Sequence, residues 1–317
     1  MSLTEKQIDF MGVRKIAGVS SIILVIISII SLAFNSLEFG LDFTSGTSVR
    51  LSYSDAVVVE DVNQTLREND YDDAVVVTFG SDRDIRILLP VDENIAVGNQ
   101  AAQAVIVGES IAELLQSASG SQISLLGSDY VSAKVGGELV ESGGIGMLVA
   151  LAIIMVYIAM RFQFKFSVGA VVALAHDLII TLGIFSLFRI EFNLNTLAAL
   201  LAIIGYSLND TIVVSDRIRE NFRRLRKGTP LEMINISLNQ TLSRTLITSL
   251  TTLLVLFSIL FIGGESTQGF ATALIIGVVI GTYSSIYIAS NVILYMNVTR
   301  EDLMLPIKEG AELDDTP

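Results

Sequence analysis

Six long apolar runs dominate this 317-residue chain: 16–34, 143–160, 168–188, 194–214, 246–262 and 270–296. Each is 17 residues or longer, about what an α-helix needs to cross ~30 Å of hydrocarbon. A bilayer core offers no water to unpaired N–H and C=O groups, so apolar runs of this length cross it as helices. The chain is therefore expected to be a polytopic α-helical membrane protein with six transmembrane helices. Lys6, Arg14 and Lys15 precede the first run in the manner of a signal peptide. That run is too long for one, and no small-residue cleavage pattern follows it, so it reads as an uncleaved anchor.

Orientation follows from the basic residues. Lys6, Arg14, Lys15, Arg161, Lys165, the cluster Arg217, Arg219, Arg223, Arg224, Arg226 and Lys227, then Arg244, Arg300 and Lys308 all fall on one side of the six runs. That side is expected to be the cytoplasm, with both termini inside. The basic segment 215–227 places Ile218, Phe222 and Leu225 on one side. It reads as an amphipathic stretch along the inner membrane surface.

Charge then separates a second domain. Segment 35–142 holds 18 acidic and 5 basic residues, which accounts for the net charge of −13 of the whole chain. Its periodicity also changes. Residues 47–53 alternate as a strand, and 56–69 show helical spacing at Val59, Val62 and Leu66. Strands 74–79 and 84–90 flank Gly-Ser-Asp-Arg as a hairpin. Residues 98–118 are Ala-rich and helical, with Ala101, Val105, Ile111, Leu114 and Leu115, and 121–133 supply a last strand. The order βαββαβ is that of an extracytoplasmic ferredoxin-like α+β domain. The expected units are 1–34 (N-terminus and first span), 35–142 (acidic domain), 143–296 (five spans with a basic loop at 215–245) and 297–317 (tail). One span, a domain, then five spans is the layout of half a pseudo-twofold transporter whose other half is a second polypeptide. Gly136, Gly137, Gly143, Gly144 and Gly146 before the second run read as a hinge or a plain linker.

Composition removes several chemistries. The chain has no Cys and one His, so cysteine nucleophiles, Cys-ligated metals and multi-His sites are excluded. Its acidity argues against a nucleic-acid partner. No enzyme, metal or organic cofactor is expected.

Polar residues inside the apolar runs are the candidates for function, since Asp or Arg at a helix centre costs about 2.5–3.5 kcal/mol to insert. Three spots stand out: Ser207, Asn209 and Asp210 in the fourth run, His176-Asp177 in the third, and Arg244 at the start of the fifth. At ~1.5 Å per residue, Asp177 lies about 13–14 Å into its helix, while Asp210 lies about 24 Å from the opposite face. Asp210 and Arg244 can therefore share a depth. Desolvation favours a neutral carboxyl and a neighbouring guanidinium a charged one, so such a pair can act as a protonation switch. Simpler readings stand beside it. Asp210 could cap a helix extension, Arg244 could snorkel to the interface, and His176-Asp177 could be a static interhelical pair. An intramembrane aspartyl protease is disfavoured, because the Gly-x-Gly-Asp signature is absent before Asp210. Gly277 and Gly281 form a GxxxG pattern that allows close helix approach.

Four stretches carry a family resemblance: GLDFTSGT (40–47), RFQFKFSVGAVVALAHDLIITLGIFSL (161–187), LAALLAIIGYSLNDTIVVSDRIREN (197–221) and LSRTLITSLTTL (242–253). Together they resemble the SecF family of protein-export membrane subunits, part of the RND superfamily. The resemblance implies SecD as the partner that completes a twelve-span unit. It also implies work with SecYEG and SecA in the prokaryotic cytoplasmic membrane, drawing preproteins outward with proton motive force; protons are then the coupling ion. It carries a proton-relay role onto Asp210 and Arg244 and a supporting role onto His176 and Asp177; the Gly- and Ser-rich connection 35–46 is itself expected to be a hinge, with Asp42, Thr44 and Gly46 in it. Two departures are present: Thr44-Ser45-Gly46-Thr47 stands where the family reads Gly-Gly-Thr, and Ser215 replaces an aromatic. A passive structural subunit, or half of an RND-type pump for lipids or small molecules, are the competing readings.

Overall fold

The computed structural model describes residues 8–40, 43, 46–79, 81–90, 100–131, 133–161, 163–225, 227–263 and 265–299. Six of its helices are long and apolar enough to cross a membrane: Met11–Asn35, Glu141–Met160, Phe164–Leu187, Leu194–Arg224, Pro230–Ile262 and Thr267–Tyr295. They belong to α1 (Arg14–Asn35, after a 3-10 turn at Met11–Val13), α4 (Ala133–Arg161), α5 (Phe164–Leu187), α6 (Leu194–Arg224), α7 (Pro230–Ile262) and α8 (Glu265–Tyr295).

Between α1 and α4 lies the α/β domain: β2 (Gly46–Tyr53), α2 (Val59–Arg67), β3 (Val75–Phe79), β4 (Ser81–Pro90), α3 (Gln100–Ser119) and β5 (Ile123–Val131). Its sheet order is β3-β4-β2-β5, antiparallel throughout, which is the expected ferredoxin-like arrangement. The hairpin is tighter than the sequence suggested: β4 begins at Ser81, which already pairs with Phe79. One face of the sheet buries Val49, Leu51, Ile85 and Ile87 against Val62 and Leu66 of α2 and Ile111 and Leu115 of α3. Val105, expected on that face, turns outward at 45% exposure, and Ala104 takes the buried place.

Two expected boundaries move. The glycine-rich stretch before the second span is helix, because α4 starts at Ala133 and runs unbroken through Gly146. A long apolar helix extends readily once nucleated, since each further residue adds one hydrogen bond, and single glycines cost only about 1 kcal/mol. The basic segment 215–224 likewise continues α6 instead of lying along a surface. Ile218 and Phe222 sink into the bundle core, and Asn221 Nδ2 donates to Ser237 Oγ and Gln240 Oε1 of α7, each at 2.8 Å. The expected loop 215–245 is thus mostly a helical hairpin. Its second arm is started by Thr229, whose side chain accepts from Glu232 N–H while Glu232 caps back, with Pro230 in the first turn.

α1 shows how these helices pack. Its large residues, Ile16, Ile22, Ile26 and Ile29 among them, face outward, and it buries Ala17, Ser21, Ser28 and Ser31. Small residues let membrane helices approach closely. A Cβ added at Gly183 of α5 would stand 2.1 Å from Ser28 Cβ, so only glycine fits there. Ser31 and Ser186 hydroxyls bond at 2.9 Å one turn farther on. Past α1, β1 (Glu38–Phe39) pairs in parallel with β6 (Glu191–Phe192) in the α5–α6 connection. Phe43 stacks on Phe192 at 5.7 Å, and Arg189 Nη1 meets Glu38 Oε2 at 3.0 Å. The link out of α1 is therefore clipped to the bundle. Of the expected hinge residues, Asp42 and Thr44 lie outside the described residues. Gly46 is the first residue of β2, paired with Pro90 and Val131, so it belongs to the sheet.

Candidate functional site

The structure sets both intramembrane aspartates on the bundle interior, Asp177 at 0% and Asp210 at 3% exposure. α6 lies between their two sets of contacts: Ser207 and Asp210, three residues apart, are neighbours on its surface. Ser207 turns to Asp177 and Asp210 turns to α7.

Asp177 is fully engaged. Its Oδ2 accepts from Ser207 Oγ of α6 at 2.5 Å and from Ser284 Oγ of α8 at 2.7 Å. Its Oδ1 lies 2.9 Å from His176 Nδ1. Gly281 makes room for this cluster: a Cβ there would come within 3.2 Å of Ser207 Cβ and 3.6 Å of Asp177 Oδ2. The GxxxG pattern thus serves the α6–α8 contact, with Gly277 pressed against Ile203. The His176 ring stacks on Tyr283 with centroids 6.3 Å apart, and its Nε2 is buried without a hydrogen-bond partner.

Asp210 is nearly bare. Its Oδ1 accepts from Thr245 Oγ1 of α7 at 3.5 Å, a long bond, and its Oδ2 is buried with no partner. Thr211 Oγ1 and Ser215 Oγ, farther along α6, are also buried without partners. A buried polar group left unpaired costs about 1–3 kcal/mol. This end of α6 therefore carries hydrogen-bonding capacity that the described residues leave unused. Above it, Tyr206 O–H donates to Ser249 Oγ at 3.3 Å, and Ser249 and Thr282 hydroxyls bond at 2.7 Å.

Two expected site residues sit elsewhere. Arg244 is exposed, and no ion pair joins it to Asp210; its neighbour Thr245 makes the contact instead. Asn209 is exposed on the opposite side of α6, beside Gly205. Sequence reasoning missed Tyr283, Ser284 and Thr245. The signal was the polar run Thr282-Tyr283-Ser284-Ser285 inside an apolar span.

The family described as "Protein export membrane protein SecD/SecF, C-terminal" matches residues 110–299, and the "SecD/SecF GG Motif" matches residues 30–57. The chain is 44% identical over 318 residues to the protein translocase subunit SecF of Vibrio alginolyticus, covering 99% of this chain and 98% of that one. It is 44% identical over 317 residues to SecF of Pseudomonas aeruginosa, covering all of both chains. Among solved structures it is similar to SecDF, a translocon-associated membrane protein, from Thermus thermophilus, with a TM-score of 0.80 and 36% identity. That match covers 94% of this chain and 40% of the SecDF chain, so this chain spans two-fifths of that protein.

Proposed function

Because the chain belongs to the SecD/SecF protein-export family as a SecF-type translocase subunit, we propose that it pairs with SecD and uses proton motive force to assist the late translocation of preproteins. In this reading it works beside SecYEG and SecA in the prokaryotic cytoplasmic membrane. Both termini are cytoplasmic and the acidic α/β domain is outside, as the basic residues at 161–165 and 217–227 favour. Its SecD partner is supported by the likeness to SecDF, in which the corresponding fold forms part of one chain.

The observation that carries the proposal is the state of Asp210. A carboxyl buried in a membrane bundle, held by one long hydrogen bond and with a second oxygen unpaired, is not there for stability. It is free to take up and release a proton. Arg244 and Thr245 are adjacent on α7, about 100° apart around a helix with 3.6 residues per turn. A turn of α7 would exchange Thr245 for Arg244 beside Asp210, pairing the carboxylate in one state and leaving it bare in the other. Each charge crossing 100 mV yields about 2.3 kcal/mol, enough to bias such a pair of states on the order of fiftyfold.

The test is Asp210→Asn, which keeps size and removes the titratable group. Export in membrane vesicles carrying this chain with SecD should lose its proton-dependent part, while copurification with SecD persists. Wild-type export by the variant would leave the passive-subunit reading in its place.

A further inference from the structure

A chain of polar contacts leaves the Asp177 cluster in a direction the proton carrier itself does not use. Tyr283 O–H donates to the backbone carbonyl of Ala17 in α1 at 2.7 Å. The same oxygen accepts from Ser21 Oγ at 3.0 Å and lies 3.2 Å from Ser20 Oγ. On its other side the Tyr283 ring stacks on His176, which holds Asp177, which in turn accepts from Ser207 one turn from Asp210. Contacts thus run from α6 through α5 and α8 to α1. α1 is the helix that leads directly into the β1–β6 clip and the α/β domain.

We propose that Tyr283 is a positioning residue that hands movement of α6 to α1, and so to the α/β domain. The proposal rests on the reading of Asp210 as a proton carrier. Three features of the site support it. The rest of α1's buried face is small, so few side chains on it can transmit a lateral push: Ala17, Ser21, Ser28 and Ser31. The Tyr283 hydroxyl is tied to α1 at two points, the backbone carbonyl of Ala17 and the Ser21 side chain, so removing Ser21 Oγ loosens the attachment and removing the Tyr283 hydroxyl breaks it. His176, the next member, has one ring nitrogen engaged by Asp177 and the other buried without a hydrogen-bond partner, so the ring is held on one side only.

The experiment uses the full chain with SecD. Tyr283→Phe removes the hydroxyl and keeps the stack on His176; Ser21→Ala is the milder variant, removing one donor. The absence of native Cys allows Asp72→Cys in the domain and Phe188→Cys in the α5–α6 connection to carry a dye pair. We expect Tyr283→Phe to copurify with SecD as wild type does. It should lose both the gradient-driven change in dye distance and most of the proton-dependent export. The double variant Tyr283→Phe/Asp210→Asn should be no worse than Asp210→Asn alone, because both act on one path. If Asp210→Asn is defective while Tyr283→Phe and Ser21→Ala both keep the distance change, Tyr283 does not transmit and this inference falls alone. If Asp210→Asn behaves as wild type, the proton reading falls and takes this inference with it. If Tyr283→Phe fails to copurify, the result passes to Ser21→Ala: an unaltered distance change there overturns the proposal, and a reduced one supports it.

Discussion

The α/β domain and the helix bundle are built by opposite rules. In the domain, Val49, Leu51, Ile85, Ile87, Leu66 and Ile111 are sealed inside. The surplus of acidic residues stays on or near its surface, with Glu60, Asp61, Asp72 and Asp73 exposed. In the bundle, Ile22, Ile29, Leu250 and Leu254 are half or more exposed, while Asp177, Thr181, Ser207, Asp210, Ser284 and Ser290 are buried. Water rewards the first arrangement through the hydrophobic effect. Lipid tails, as apolar as leucine, give no such reward, so close packing of small residues and hydrogen bonds between helices must hold the second together. One chain thus keeps its chemistry where its solvent cannot reach it.

The largest effect that would break this contrast is a deletion of core volume. Ile87 is fully buried in the sheet, and Ile87→Ala should cost about 2–5 kcal/mol of domain stability. Ile29→Ala, on the half-exposed face of α1, should cost well under about 1 kcal/mol, because the methyls it removes faced lipid. Chemical denaturation of the full chain in detergent, followed by the near-ultraviolet circular dichroism of its tyrosines, reads the difference. Equal losses would erase the distinction between the two cores.

A smaller effect tests the bundle's own cohesion. Asp177→Ala leaves the donors at His176 Nδ1, Ser207 and Ser284 without their acceptor. Unpaired buried groups cost about 1–3 kcal/mol each, partly recovered by local rebonding, and Ser284 already has the Gly281 carbonyl in reach at 3.2 Å. Asp177→Asn keeps an acceptor oxygen and the shape, and should recover at least half of the lost thermal stability in detergent. At position 210 the same Asp→Asn change should leave stability nearly untouched, since little was bonded there. If Asn destabilises both positions alike, the difference between a holding carboxyl and a carrying one is wrong.

The sequence made one of these two cores far more legible than the other. Strand alternation at 47–53 and helical spacing at Val62 and Leu66 reflect burial against water, so they led to the correct sheet order and the buried face of α2. The spans were equally plain from length, but their packing was not. α1 is apolar all round except for serines, and only the structure shows that Ser21, Ser28 and Ser31 mark its buried face. Asp177 and Asp210 looked alike as intramembrane acids; their partners come from helices distant in sequence, α7 and α8, which no local pattern could assign. Arg244 is adjacent to Thr245, the residue whose hydroxyl reaches Asp210, and misses that contact because a helix changes direction by about 100° per residue. Ends of helices were misplaced at 133 and 224 for a related reason. Hydropathy marks where a helix enters lipid, not where its hydrogen bonding stops.

The smallest predicted effect concerns a phenol that the apolar core of the domain takes in. Tyr53 ends β2 beside Ile123 and is 6% exposed. Burial pushes its phenol from the ordinary 10.0 up to about 12, because the tyrosinate would have to shed water inside the core. The folded domain therefore holds this proton where the unfolded chain has lost it. The stabilising contribution is complete below about pH 10, the unfolded value, and is lost as pH rises through the folded value near 12. Tyrosinate absorbance of the full chain in detergent should show a late-titrating component that shrinks by one tyrosine in Tyr53→Phe. The variant, which keeps the ring in the core, should also unfold over a higher alkaline range than wild type. An unchanged alkaline midpoint in Tyr53→Phe would mean that the phenol is solvated in the folded domain, and that its core is less sealed against water than the burial of Leu51 and Ile85 beside it implies.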